Sequence, residues 1–190
     1  MPNIQDYLKW RKDVPFSVSP FNEVDSLVLT ELIYADFAGC VPQDGQRVPL
    51  KQVRDRFWER YTREEILAQD TFTKMAPFLL EPMRKGARFS DVTVSHFMNE
   101  VDVTEDLQLS AATFHLPDGT AFVAFRGTDS TIVGWKEDFN MSYQPETLGQ
   151  RRAVAYMDRH FAGGNVPLRL GGHSKGGNLA VYAAVKAAPE

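Results

Sequence analysis

A glycine-flanked serine near the end of this 190-residue chain constrains its fold more than any other feature. Residues 166–170 alternate in polarity, the motif Gly-His-Ser-Lys-Gly follows at residues 172–176, and residues 178–188 are rich in Ala, Val and Leu. Strand, Gly-x-Ser-x-Gly and helix in this order are typical of a nucleophile elbow, a turn so tight that side chains at the glycine positions would clash. The sequence therefore predicts that Ser174 lies on a strained turn, with its hydroxyl raised clear of a sheet.

Two other interpretations fit parts of the same stretch. A serine before a helix is also an ordinary N-cap, and this alternative stays open from the sequence. A phosphate-binding loop requires the pattern G-x4-G-K-[ST], and the two possible frames place Gly177 and Asn178 where the lysine is required. The sequence therefore disfavours a phosphate loop.

Composition favours one globular domain in a reducing compartment. The chain is 43% hydrophobic, and 21 Lys and Arg against 25 Asp and Glu give a net charge of −4 with no basic cluster, which argues against nucleic-acid binding. The single cysteine, Cys40, excludes an internal disulfide, and we find neither a signal peptide nor an apolar run of about 20 residues. We expect a cytoplasmic protein with no transmembrane segment, no cofactor and no metal.

The first 90 residues are predicted to be mainly helical. Asn22 can cap a helix that runs through Phe37, residues 50–61 are amphipathic with Arg54 facing water, and Thr62 begins a capping box. The apolar positions of the first of these helices are expected to face the core: Val24, Leu27, Leu29, Leu32 and Ile33.

From residue 91 the pattern changes to strands alternating with helices. Residues 107–116 and 120–125 flank Pro-Asp-Gly at residues 117–119, which predicts a β-hairpin. Strands and helices in alternation indicate an α/β fold class.

A second strand pairing follows from a predicted crossover helix over residues 147–161. A helix between two strands of one sheet makes those strands parallel, here residues 121–125 and 166–170. Ligands bind beyond the carboxyl ends of parallel strands, so Thr128 and Ser174 are expected at the same edge of the sheet.

Three spaced motifs carry a resemblance to a known family. The strand end Phe-Arg-Gly-Thr at residues 125–128, then Trp135 and Asp138, then Gly-His-Ser-Lys-Gly-Gly at residues 172–177 resemble the class 3 lipases of the α/β-hydrolase superfamily. The chain is still more similar to a family of uncharacterised bacterial proteins of this lipase-like type, whose start and middle resemble residues 7–11, 25–27, 125–129 and 134–138.

The resemblance covers nearly the whole chain and implies both a fold and an activity. The fold would be the N-terminal part of an α/β-hydrolase fold, with an incomplete central sheet and flanking helices. Residues 1–90 would form a mainly helical N-terminal portion, and residues 91–190 a sheet portion that ends just after the elbow helix, within one truncated domain. The activity would be that of an esterase or lipase-like serine hydrolase, which acts on a small-molecule ester or lipid through an acyl-enzyme on Ser174.

The resemblance also assigns roles to individual residues. Ser174 would be the nucleophile, the amides of Thr128 and Lys175 would form the oxyanion hole, and Arg126 and Asp138 would pair to brace the oxyanion loop. From the residues alone, the elbow supplies Ser174 and the Lys175 amide, whereas Thr128 is equally explained as a plain loop residue. Many lipases carry an apolar residue at the position of Lys175, whose cation is expected at the mouth of the site.

A base for Ser174 is missing from the expected place. In α/β hydrolases the acid and the histidine follow the serine, but after Ser174 this chain has no histidine and one acid, Glu190. The upstream histidines are poor candidates by position: His96, His115, His160 and His173. We therefore expect the acid and the base beyond Glu190, and we expect this chain alone to be inactive or nearly so.

Two other functions share the same residues. The fold could serve as a non-catalytic binding or interaction module, or the acyl group could pass to an acceptor other than water, as in an acyltransferase. The predicted strand at residues 166–170 would also form an open sheet edge, which predicts a homo-oligomer through that edge.

Overall fold

Five strands form one mixed sheet in the computed structural model of the chain, which describes residues 2–164 and 166–187. The strands lie in chain order, and they are antiparallel except for the parallel pair β4 and β5. Their bounds are β1 Val48–Pro49, β2 Thr93–Asp102, β3 Leu107–His115, β4 Ala121–Phe125 and β5 Leu168–Gly172. The predictions that involve Asn165, Ala188 and Glu190 lie outside the described residues.

Side-chain caps begin many of the helices. Capping boxes form at Asn3, Asn22, Thr62 and Thr147. In each, the cap side chain accepts a hydrogen bond from the backbone amide three residues later, and the side chain of that later residue accepts one from the backbone amide of the cap. The helices are α1 Ile4–Arg11, α2 Glu23–Leu32, α3 Leu50–Arg60, α4 Arg63–Ala68, a 3₁₀ helix Ala76–Leu79 that leads into α5 Leu80–Met83, α6 Ile132–Asn140, α7 Leu148–Phe161 and α8 Lys175–Lys186.

Helices cover both faces of the sheet. On one face, residues of the N-terminal helices such as Leu29 and Phe57 share a hydrophobic core with Phe114 and Phe122 of the sheet. On the other face, α7 and α8 form a second core with residues of β3, β4 and β5. Every residue of β3 and β4 is buried as a result. This layering agrees with the predicted α/β class.

The hairpin and the parallel strand pair form as the sequence predicts. Gly119 has φ +82° in the turn between β3 and β4, a conformation that glycine adopts readily. Helix α7 follows β4 and precedes β5, and Phe125 at the end of β4 is in register with Gly172 at the end of β5.

Three sequence predictions about the N-terminal helices were wrong, and buried charges account for those that concern which face is inside. Helix α2 ends at Leu32 instead of Phe37, and of its predicted inner stripe Val24 and Leu27 are exposed, whereas Leu29, Leu32 and Ile33 are buried as predicted. The buried face of α2 includes Asp25, whose carboxylate binds the fully buried guanidinium of Arg88. Arg54 is also buried, not solvated, and binds Asp55.

Candidate active site

Ser174 lies on the turn between β5 and α8 with backbone angles that an L-residue rarely adopts. Its φ is 55° and its ψ is −124°, and the residue is exposed. Although Ser174 stands at the N-cap position of α8, its side chain makes no capping hydrogen bond. The geometry therefore agrees with an elbow and disagrees with the ordinary cap.

The glycines on either side of Ser174 are required by close backbone contacts. A Cβ at Gly172 would overlap the carbonyl group of Gly176, and a Cβ at Gly176 would overlap the carbonyl oxygen of Phe125 at the end of β4. The elbow is thus packed against its own helix and against the neighbouring strand.

The loop after β4 lies against the elbow. Gly127 packs so closely against the carbonyl oxygen of His173 that a Cβ at this position would overlap that atom. The next residue, Thr128, is buried. Within residues 2–164 and 166–187, the backbone amides of Thr128 and Lys175 have no hydrogen-bond acceptor. An oxyanion hole needs backbone donors of this kind, and these two amides belong to the loop after β4 and to the first residue of α8.

Arg126 and Asp138 do not form the predicted ion pair. The hydroxyl of Thr128 donates to Asp138, whereas the Arg126 guanidinium donates to Asn99 at 3.2 Å and lies 3.7 Å from Asp129. Asp129 is the carboxylate nearest to the Arg126 cation, and the Nε of Arg126 is buried without a hydrogen-bond partner among the described residues. Both residues still contact the loop after β4, Asp138 through Thr128 and Arg126 through Asp129.

The side chain of Lys175 is buried, so the expectation of a cation at the mouth of the site was wrong. Its Nζ donates to the Glu137 carboxylate at 2.8 Å, and to the carbonyl and side-chain oxygens of Gln108 at 2.6 and 3.1 Å. Burial lowers the pKa of Lys175, and the charge of Glu137 opposes that shift. The side chain of Lys175 therefore belongs to the buried layer behind the elbow, and any role beside Ser174 would fall to its backbone amide.

Glu137 joins four elements around this lysine, and sequence reasoning missed it. Its carboxylate accepts from Lys175, from the Gln108 amide at 3.1 Å and from the Gly149 amide at 2.9 Å. It thereby connects α6 to β3 and to the first residues of α7 and α8. A charged residue in an exposed-looking Trp-Lys-Glu-Asp run gives no sequence signal of burial.

Tyr34 is a second residue near the elbow that the sequence did not indicate. Its hydroxyl lies 3.2 Å from Nδ1 of His173, and it packs against Gly127. Burial, and then the charge of Glu31, raise the pKa of Tyr34 to about 12. Tyr34 is therefore neutral at physiological pH and holds the imidazole of His173.

None of the four histidines contacts the hydroxyl of Ser174 in the part of the chain that the structure describes. His173 binds Tyr34. The other three, His96, His115 and His160, lie together beside β2 and α7.

An apolar groove of about 390 Å³ lies beside the elbow. Leu27, Met75 and Leu79 line it together with His173, the residue before Ser174. A smaller hollow that contains Tyr34, Phe72 and His173 adjoins it. This surface could accept an apolar chain that extends from the elbow.

A comparison with protein families decides the relationship of the chain. The model of the Mbeg1-like family matches residues 83–190, which is more than half of the chain. This chain belongs to the Mbeg1-like family. The Mbeg1-like family is reported as lipase-like, and the matched segment contains the loop of Thr128, the Glu137 network and the elbow. Searches of curated proteins and of solved structures found no match.

No described helix of this Mbeg1-like chain is both long and apolar enough to cross a membrane.

Proposed function

We propose that this chain is the N-terminal part of an α/β-hydrolase fold and that Ser174 is the nucleophile of a serine hydrolase for an ester or lipid acyl group. The observation that carries the proposal is the exposed, strained Ser174, whose hydroxyl caps no helix. Membership of a lipase-like family supports it. In this proposal residues 1–90 and 91–190 are two portions of one domain.

In the proposed reaction, Ser174 forms an acyl-enzyme and two backbone amides stabilise the charge that develops. The Ser174 Oγ attacks the acyl carbon as its proton passes to a base, and the carbonyl oxygen gains negative charge that the amides of Thr128 and Lys175 stabilise. The leaving alcohol departs with a proton from that base, and the acyl group stays on Ser174. Water then attacks the acyl-enzyme by the same route and releases the acid.

The base must come from residues other than the described histidines, since those are held by other partners. We propose that an acid and a histidine outside the described ranges complete the triad. We expect a preparation of residues 1–190 alone to hydrolyse esters slowly or not at all.

Labelling with a fluorophosphonate tests the proposal on the protein encoded by the complete reading frame. We expect Ser174→Ala to lose both the label and p-nitrophenyl ester hydrolysis, because only an activated serine reacts. Ser90→Ala is a matched control, since Ser90 is exposed and lies in a different part of the fold. Equal turnover of wild type and Ser174→Ala would end the catalytic proposal.

A non-catalytic binding module is the second candidate, because the described histidines leave Ser174 without a base. Absence of label in the complete protein would favour it. An acyltransferase would label like the hydrolase, but it would transfer the acyl group to an added alcohol faster than to water.

A further inference from the structure

A cleft of about 210 Å³ lies between β2 and α7. In the sheet, β3 and β4 separate β2 from β5, the strand that leads to Ser174. The floor of the cleft is a β-bulge between Ser95 and Met98, where His96 has φ +53°. A positive φ at a residue other than glycine is strained and persists where surrounding contacts enforce it. Strain of this kind and β-bulges concentrate at functional sites.

The bulge places His96 on top of His160 of α7. The two imidazole rings stack with centroids 4.0 Å apart, and the Tyr156 ring packs edge-to-face on His160 with centroids 4.7 Å apart. The Tyr156 hydroxyl also donates to the His96 carbonyl at 3.1 Å. These contacts fix both rings at the wall of the cleft.

A buried hydroxyl links the ring of His96 to that of His115. The Ser95 Oγ lies 2.9 Å from Nδ1 of His96 and 2.8 Å from Nε2 of His115. Because a hydroxyl has one proton, it donates to one ring and accepts from the other. The tautomers of His96 and His115 are therefore coupled, and Nε2 of His96 can either donate or accept.

The charges around the cleft are mostly positive. Arg152 and Arg159 line it from α7, and Arg47 approaches His96 from the preceding loop. Among the described residues that line the cleft, Glu100 is the one carboxylate, and it lies 3.4 Å from Arg152. Guanidinium groups and imidazoles around a small hollow suit a phosphate group, which accepts several charge-assisted hydrogen bonds.

We propose that this cleft is a binding site for the phosphate group of a small molecule, separate from the elbow. The Arg159 guanidinium and the rings of His96 and His160 bind the phosphate oxygens, and Arg47 adds attraction from the loop. The assignment does not depend on whether Ser174 is catalytic.

Binding should couple to proton uptake. Burial, and then the charge of His96, lower the pKa of His160 to about 4, and burial with Arg47 and Arg159 lowers that of His96. A bound dianion counters these cations, so it raises both imidazole pKa values. The affinity for sulfate, whose charge stays constant in this range, should therefore increase as the pH falls from 7.5 to 6.

Imidazole NMR resonances of the intact chain, titrated with inorganic phosphate at low ionic strength, test the site. We expect saturable shifts at His96 and His160, and about tenfold weaker binding in Arg159→Gln, which removes one charge-assisted contact. Arg47→Gln, in an exposed loop, should also weaken binding and cannot compromise the core. Arg151→Gln is the matched control, since Arg151 lies on α7 and pairs with Glu146 instead.

Two results would overturn the proposal: shifts that do not saturate, or equal affinity in Arg159→Gln, Arg47→Gln and Arg151→Gln. Glycerol phosphate and vesicles that contain phosphatidic acid distinguish the source of the phosphate group. Binding of glycerol phosphate supports a small-molecule ligand, and binding to vesicles without binding of soluble phosphate or glycerol phosphate contradicts it.

Discussion

At the scale of single residues, the elbow can form only because two of its residues are glycines and lack a Cβ. Gly172 and Gly176 let the turn fold back on α8 and on the end of β4, and Ser174 takes the strained angles that follow. The need for glycine at both positions was predicted from the sequence, because the steric clash arises within the motif and its immediate neighbours.

We expect Gly176→Ala to destabilise the fold by about 2–3 kcal/mol, since its Cβ would overlap the Phe125 carbonyl of a rigid strand. Gly177→Ala is the control one residue later in the same helix, where the nearest atom to a new Cβ is 3.1 Å away. Urea unfolding of both variants measures the difference. Equal stability of the two would show that the contact with β4 is not tight.

The histidines beside α7 predict loss of stability in mild acid. The pKa values of His115 and His160 are lowered to about 4, mainly by burial, whereas an unfolded histidine titrates near 6.5. The unfolded chain therefore binds more protons between these values, and the free energy of unfolding falls as the pH drops from about 6.5 towards 4.

Unfolding midpoints between pH 7.5 and 5 measure this effect above the range where most carboxylates titrate. We expect His160→Gln to flatten the dependence, because it removes one of the displaced titrations. If the stability of His160→Gln depended on pH as steeply as that of the wild type, the lowered pKa of His160 would not be the cause of the acid sensitivity.

At the scale of elements, the Lys175–Glu137 pair holds α8 to α6 and β3. Removing one partner of a buried ion pair leaves the other charge uncompensated, so we expect Lys175→Met to cost about 3–5 kcal/mol. The exposed pair of Lys136 and Asp106 is the control, and Lys136→Met should cost less than about 1 kcal/mol.

A double variant separates pairing from packing. In Lys175→Met with Glu137→Gln, the neutral amide oxygen can still accept from a backbone amide, so part of the loss should return. Thermal unfolding of the single and double variants gives the coupling free energy. Strict additivity would contradict the role of the pair.

Predictability from sequence differed between elements for one physical reason. The caps at Asn22 and Thr62, the hairpin turn and the parallel strands follow from local chemistry and were predicted. Charged residues that bury themselves through partners distant in sequence were not, as Asp25 with Arg88 and Lys175 with Glu137 show. Periodicity treats a charge as exposed, so it placed Leu29 and Leu32 correctly on the inner face of α2 but missed Asp25 there. The roles of Ser174, Thr128 and Lys175 in catalysis stay predictions.

At the scale of the whole molecule, β5 is an edge strand of the sheet within the described residues. Beside it, Val181 and Val185 of α8 are 67% and 74% exposed. An unpaired strand next to exposed apolar side chains favours association.

We expect sedimentation equilibrium of this chain to show concentration-dependent dimers. Val181→Lys with Val185→Lys should weaken them, since charges next to the edge oppose close approach. Val103→Lys is the control, because Val103 is 69% exposed on the loop between β2 and β3. A monomer at all concentrations would contradict the prediction.

The two-sided packing of the sheet has a practical consequence for anyone who designs a shorter version of this protein. The family match starts at Met83, yet many of the residues that share a core with Phe114 and Phe122 precede that residue. A protein shortened to the matched segment would expose these two rings to water. We expect it to precipitate even if the turn at Ser174 forms correctly. Domain limits for expression are therefore better drawn from the packing than from the family boundary.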